Sequence, residues 1–322
     1  MSTVLVTGAL GAIGSWVTRK LVDQGIRVVT YDARLDTTLT KDVVDKVNCT
    51  VGDILDLPSI IHTIRHYGVE RIIHMAAIMN DQADANPLMG FRINAEGALN
   101  VFEAARLTDI KRVVFTSSKG VYDITRGDHT HPTYKPIDED YPKMPVDVYG
   151  STKLFVENMA LNYNRIYGLD CIILRFASTY GPGKLARHGA FAITSNIIEH
   201  AMLRKPLNIP QGRDQMDDMV YNKDVANGIV LACFAENVKH RIFHLGTGKA
   251  ETLRHFIEIV DKIFGGVPIK IGPGLNFLGT KAPRYSVFNI ERARMGLGYN
   301  PQYDLEAGVK DYVGTVKKLA ET

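Results

Sequence analysis

Five short runs constrain the fold of this chain more than any other feature: "TVLVTG", "RVVTYD", "RIIHMAA", "RVVFTSS" and "CIILRF". Each holds consecutive apolar, mostly β-branched positions, whereas a strand with one wet face would alternate apolar and polar. Continuous apolarity demands burial on both faces. Between these runs lie helical patterns over 13–24, 57–67 and 93–107. Strand and helix alternating in this way predict an α/β chain with a Rossmann-type, doubly wound parallel sheet covered by helices on both sides. Beyond about residue 177 the pattern breaks up. Gly/Pro-rich "TYGPGK" and "KIGPG" separate shorter segments, and "LNIP", "RIFHLG" and "PIKIG" are isolated strand candidates. The expected division is a main domain over 1–177 with returns near 216–248, and a smaller lobe over 178–215 and 249–322.

Composition narrows the class. The 322 residues are 45% apolar and 23% charged, which suits a globular protein. The net charge of +3 is dispersed, with no dense basic block, so neither nucleic acid nor an anionic membrane is the expected partner. Cys49, Cys171 and Cys233 lie far apart without metal-ligand spacing, as expected of reduced thiols in a cytoplasmic protein. No apolar run approaches the roughly 20 residues of a membrane helix. The chain enters its first strand at once, leaving no stretch that reads as a signal peptide. "HTH" at 129–131 has no third ligand at metal spacing and reads as loop surface, so no metal is expected. His74 reads as a packing residue and Trp16 as core.

"VLVTGALGAIGSWVTRKLV" is strand, glycine turn and helix in succession. Gly8 permits the turn, Gly11 lets a pyrophosphate approach the backbone, and Gly14 lets the helix pack on the strand. Ala12 and Ile13 lead into the helix, whose N-terminus faces the phosphates. The second strand ends in Asp32, at the distance from which a carboxylate reaches adenosine ribose hydroxyls. An acid there repels a 2′-phosphate, so NAD is favoured over NADP. Arg34, two residues on, works in the opposite sense. The main domain therefore reads as dinucleotide-binding.

Two of the fourteen tyrosines stand four residues before a lysine. Tyr180–Lys184 spans "YGPGK", where a proline and two glycines oppose a helix. Tyr149–Lys153 opens a long helical pattern, and i,i+4 residues share one helix face. A phenol is a poor base at neutral pH. A nearby ammonium and the positive nicotinamide are both expected to lower its pKa and fit it for proton transfer. Thr116, Ser117 and Ser118 close a strand and supply hydroxyls, Ser117 reading as a cap or turn.

Together "TGALGAIG", "GDILD", "HMAA", "NAEG", "VVFTSSKGVY", "YGSTK", "LRFASTYGP" and "VYNKDVANG" make the chain resemble the extended short-chain dehydrogenases/reductases of the NAD-dependent epimerase/dehydratase family. The resemblance implies that Asp53 and Ile54 hold the adenine, that Met75, Ala76, Ala77 and Ala177 line the cleft, and that Asn94 lies near the cofactor. It makes Ser118 the catalytic serine with Thr116 deeper, and gives Lys153 the nicotinamide ribose. It also implies a homodimer built on the helix carrying Phe155, Val156, Met159, Tyr163 and Ile166, paired with the helix near 93–107.

Departures from the family pattern bear on the reaction. The sugar dehydratases carry an Asp-Glu pair where this chain has Lys119 and Gly120, which argues against dehydration, and against decarboxylation for want of the Glu. Ser178 stands where the nucleotide-sugar enzymes have an Asn, and Asp217 where they have an Arg that meets the diphosphate. Asp217 is expected to repel such a substrate, though Arg213, Lys184 or Arg187 could compensate. The leading expectation is an NAD-dependent oxidoreductase acting on a carbinol of a small polar substrate, such as a hydroxy acid, sugar acid or amino alcohol, with Ser118, Tyr149, Ser178 and Arg187 at the substrate. The alternative is a nucleotide-sugar 4-epimerase with tightly bound NAD. A non-catalytic NAD sensor comes third, because such proteins lack the Tyr–Lys pair.

Overall fold

A computed structural model describes residues 2–122, 125–280 and 283–321, with the side chains of Arg187 and Ala190 outside the description. The apolar runs form strands β1 (Thr3–Thr7), β2 (Arg27–Asp32), β4 (Arg71–His74), β5 (Arg112–Ser118) and β6 (Cys171–Phe176), with β3 (Asn48–Val51) between β2 and β4. All belong to one parallel seven-stranded sheet, closed at one edge by Ile242–Leu245 beside β6; the order from that edge is β6, β5, β4, β1, β2, β3. "RIFHLG" is therefore the seventh strand of the main sheet rather than an isolated element. β3 carries no apolar run, because it is a partly exposed edge strand with only one neighbour to pack on.

Why the runs are apolar throughout is visible in the packing. Val4 and Val6 of β1 enter a core with helix α1 (Gly14–Asp23) and the helix Asn222–Phe234. Leu5, pointing the other way, enters a second core with helix α2 (Leu57–Tyr67), the helix Gly97–Leu107 and the helix Val148–Tyr167. β5 and β6 split in the same way, Val114 and Ile172 to one side and Val113 and Ile173 to the other. A period of two on a doubly covered sheet sends both sets of side chains into a core, which favours apolar residues at successive positions.

The later part of the chain forms a third core, in which Ile197 and Ile198 cluster with Phe256, Val260, Val309 and Tyr312 and with Met219 and Tyr221. Its small strands pair Leu207–Ile209 with Ile269–Ile271, and Met216–Asp217 with Glu251–Thr252. Among the described residues no helix is long and apolar enough to cross a membrane, and no group of three or more His, Cys, Asp or Glu is placed to hold a metal ion. His129 of the "HTH" segment instead hydrogen-bonds the Lys135 carbonyl at 2.8 Å.

Candidate active site

The carboxyl ends of β1, β2, β4, β5 and β6 open into one long cleft, as parallel sheets provide where strand order reverses. Gly8, Gly11, Ala12, Ile13 and Gly14 form one side, Asp32 one end, and Met75, Ala76 and Ala77 the floor. Thr116, Ser118, Tyr149, Lys153 and Ala177 form the other end. The glycines are required sterically. A Cβ on Gly14 would lie 2.1 Å from the Gly8 carbonyl oxygen, and Gly8 itself has φ +71 and backbone 2.8 Å from where its Cβ would sit. At the far end Asp53 and Ile54 line an adjoining hollow with Tyr31 and Ile93. The Asp53 carboxylate turns back to accept the Leu55 N–H at 2.9 Å. Asn94 is buried behind the wall: its amide oxygen accepts the Ile78 N–H at 2.8 Å and its nitrogen donates to the Ile78 carbonyl at 3.0 Å. It shapes the cleft without lining it.

Helix Val148–Tyr167 begins four residues earlier than its apolar pattern suggests, because Asp147 caps it by accepting the Gly150 N–H at 2.6 Å. That cap places Tyr149 in the first turn, at the cleft. Lys153, one turn on, donates to the Thr116 carbonyl at 2.8 Å, and Ser118 hydrogen-bonds the Tyr149 phenol. Tyr149 and Lys153 are only 8% and 2% exposed. Serine, phenol and ammonium thus converge at one point.

Their electrostatics depart from expectation. Burial, aided by the Asp147 carboxylate, pushes the Tyr149 phenol well above its ordinary pKa, against the Ser118 hydrogen bond that lowers it. Burial also pulls Lys153 down to about 7. The sequence reading had the lysine and the positive nicotinamide together lowering the tyrosine; among the protein's own groups, desolvation is the largest cause for both Tyr149 and Lys153.

Ser117 is neither cap nor turn. Strand alternation turns it away from Thr116 and Ser118, and its hydroxyl donates to Glu157 at 2.5 Å. Glu157 in turn receives Arg175 through two bonds of 2.9 and 2.6 Å. Arg175 also donates to the Tyr122 hydroxyl and, at 2.7 Å, to the Glu139 carbonyl. These groups come from separate parts of the chain, and no local pattern in the sequence announces the network.

Beside Ser118 the cleft continues into a pocket lined by Asn80, Lys119, Ser178, Asp217 and Arg284 and by the apolar Phe191, Phe277 and Leu278. Asp217 does not present a bare carboxylate there. One oxygen accepts Lys119 at 2.6 Å and the Ser178 hydroxyl; the other accepts the backbone N–H groups of Asp218 at 3.0 Å and Ser286 at 3.2 Å. Those four donors fill a carboxylate's lone-pair sites. Its side chain is 1% exposed, that of Lys119 19%. Arg284 repeats the arrangement: it bonds Asp147 at 2.6 Å and is 15% exposed against 2% for the carboxylate. Both cations keep some exposure while their counter-ions are buried. Arg284 escaped the sequence reading because no motif there marks it. Arg213 pairs with Asp214 at the surface, Lys184 lines the dinucleotide cleft rather than this pocket, and the Arg187 side chain lies outside the described residues.

The family model for the NAD dependent epimerase/dehydratase family matches residues 4–246. The chain belongs to that family. Among the relatives of this epimerase/dehydratase are a putative UDP-glucose 4-epimerase of Methanocaldococcus jannaschii, 31% identical over 99% of this chain and 100% of the relative, and UDP-glucuronate 4-epimerase 1 of Arabidopsis thaliana, 27% identical over 97% of this chain and 76% of the relative. A solved Thermus thermophilus UDP-glucose 4-epimerase in complex with NAD superposes with TM-score 0.83, at 26% identity, over 98% of this chain and 99% of that one.

NAD is the cofactor of this family member, and the cleft fits it: backbone fills the space where side chains at Gly8 and Gly14 would go, and Asp32 stands at the end of β2. A carboxylate at that place opposes a 2′-phosphate, so NADH should bind about tenfold or more tightly than NADPH. Fluorescence titration of the two cofactors checks this; equal or tighter NADPH binding would mean that Arg34 overrules Asp32.

Proposed function

We propose that this family member is a nucleotide-sugar 4-epimerase. The observation that carries the reading is the state of Asp217. The sequence argument against a diphosphate substrate required that carboxylate to face it, and in the fold Asp217 is buried, saturated and turned into an anchor for Lys119. The pocket wall is left with two partly exposed cations, Lys119 and Arg284, together with Ser118 and the apolar Phe191 and Phe277. Hydroxyl, cationic and apolar groups side by side suit a molecule that combines a carbinol, phosphates and a base. The relatives named as UDP-sugar 4-epimerases, aligned over nearly all of this chain, support the same reading.

When bound, NAD supplies a reversible hydride acceptor. The positive charge of the oxidised nicotinamide would favour the Tyr149 phenolate against the burial that opposes it, so that Tyr149 would take the proton of the sugar hydroxyl while Ser118 donates a hydrogen bond to the oxygen as it becomes a carbonyl. Lys153 holds the cleft end through Thr116 and is placed to bind the cofactor ribose. Once the keto-sugar has presented its other face, Tyr149 would give its proton back to the same oxygen. Nothing is consumed. Dehydration would need an acid or base at position 120, where a side chain would stand 3.5 Å from the Ser118 hydroxyl, and glycine offers none.

Incubation with UDP-glucose, UDP-galactose and UDP-glucuronate, followed by anion-exchange chromatography, tests the reading. The expected result is interconversion of a 4-epimer pair with no net change in absorbance at 340 nm. A second reading, an NAD-dependent oxidoreductase of a small hydroxy acid, sugar acid or amino alcohol, is favoured by the charge balance: each pocket cation already has a counter-ion, so one carboxylate would match the pocket as well as a diphosphate. NADH accumulating with such a substrate, together with no calorimetric binding of UDP, GDP or dTDP, would replace the first reading by the second. The assembled Ser–Tyr–Lys trio weighs against a mere sensor. As part of the same proposal the protein is a homodimer, since Phe155, Ile166 and Tyr167 of the long helix and Leu88, Met89 and Phe91 before it remain exposed.

A further inference from the structure

Lys184 is a buried cation that the chemistry above does not use. It follows the short strand Ser178–Tyr180, is 7% exposed, and lines the dinucleotide cleft together with Gly11, Ala12 and Ile13. Among the described residues no carboxylate or carbonyl accepts a bond from its ammonium. Burial alone pulls it down to about 8, with no neighbouring charge contributing. An ammonium held out of water without a counter-ion is costly, and proteins tolerate it where a ligand brings the charge.

The surroundings of the loop say which part of the dinucleotide that is. The Lys184 N–H donates to the Gly181 carbonyl at 3.2 Å, so the two residues form one tight turn. Gly181 lies against Asn222, whose amide donates to the Ala12 carbonyl of the glycine loop at 3.2 Å. Gly183, with φ +81, abuts Leu39, whose carbonyl accepts Arg19 of α1. The turn is thus clamped over the glycine loop and α1, and Lys184 is not among the residues that line the adenine hollow at Asp53. Backbone N–H groups and the helix N-terminus favour a pyrophosphate there.

We propose that Lys184 is a dinucleotide-binding residue whose ammonium pairs with the cofactor pyrophosphate received by the glycine loop. Because Lys184 belongs to the segment that leads into the second lobe, this ion pair ties that lobe to the cofactor and helps keep the dinucleotide in place through turnover.

The test is Lys184→Met, which keeps the length and apolar stem of the side chain. Calorimetric titration should show NAD and ADP-ribose losing about 10- to 100-fold in affinity, with adenosine, which lacks the pyrophosphate, unaffected. Thermal melts without added nucleotide should leave the variant as stable as the parent or more so, since an unpaired buried charge has gone, while the rise in melting temperature on adding NAD shrinks. Unchanged NAD and ADP-ribose affinity would overturn the proposal. So would an equal loss for adenosine, a marked fall in the nucleotide-free melting temperature, or a loss confined to UDP, which would place Lys184 at the substrate instead.

Discussion

Tyr149→Phe should lower turnover by about 10²–10⁴-fold, the usual contribution of a positioned acid–base group. The substitution removes one oxygen from a ring that is 8% exposed and so leaves the packing of the helix intact. Ser118 loses a partner but still accepts the Gly120 N–H at 3.1 Å. Cofactor binding should persist, because the glycine loop, Asp32 and Lys153 are untouched. The measurement is steady-state turnover of the substrate that the parent accepts, beside an NADH titration on the same preparation. Turnover near that of the parent would remove Tyr149 from the mechanism. Lost NADH binding would show that the phenol holds the cofactor instead of moving a proton.

The second large effect is on stability. Glu157→Ala should cost about 3–5 kcal/mol, because it leaves Arg175 buried without its counter-ion. Both residues are 1% exposed, and the pair is bidentate. Tyr122 and the Glu139 carbonyl still accept from Arg175, but neither carries a negative charge. Ser117 loses its acceptor at the same time. Glu157→Gln, which keeps an acceptor oxygen, should lose less. Urea unfolding of the three proteins gives the comparison. A loss under about 1 kcal/mol, the size of a surface pair, would mean that water reaches Arg175 and that the network is not a buried one.

The glycine loop, the strand runs and the Tyr149–Lys153 pair were legible because each is local. A turn, a doubly buried strand or an i,i+4 pair declares itself within a dozen residues, through backbone sterics and side-chain period. β3 was not legible, since a partly exposed edge strand needs no apolar run. "RIFHLG" could be recognised as a strand candidate but not assigned its place, because its neighbour β6 lies far away in sequence and only the folded register, from Ile242↔Ile173 to Leu245↔Phe176, joins them.

By itself, then, the sequence determined the doubly wound sheet, the family and the dinucleotide cleft, since periodicity and steric need are carried by neighbouring residues. Tertiary structure alone decided the charges. Whether Asp217 repels a phosphate or anchors Lys119, whether Lys153 or desolvation governs Tyr149, and whether Lys184 serves the substrate or the cofactor all depend on burial and on partners distant in the chain. The free energy of a charge is set by what surrounds it in space, and sequence spacing does not report that.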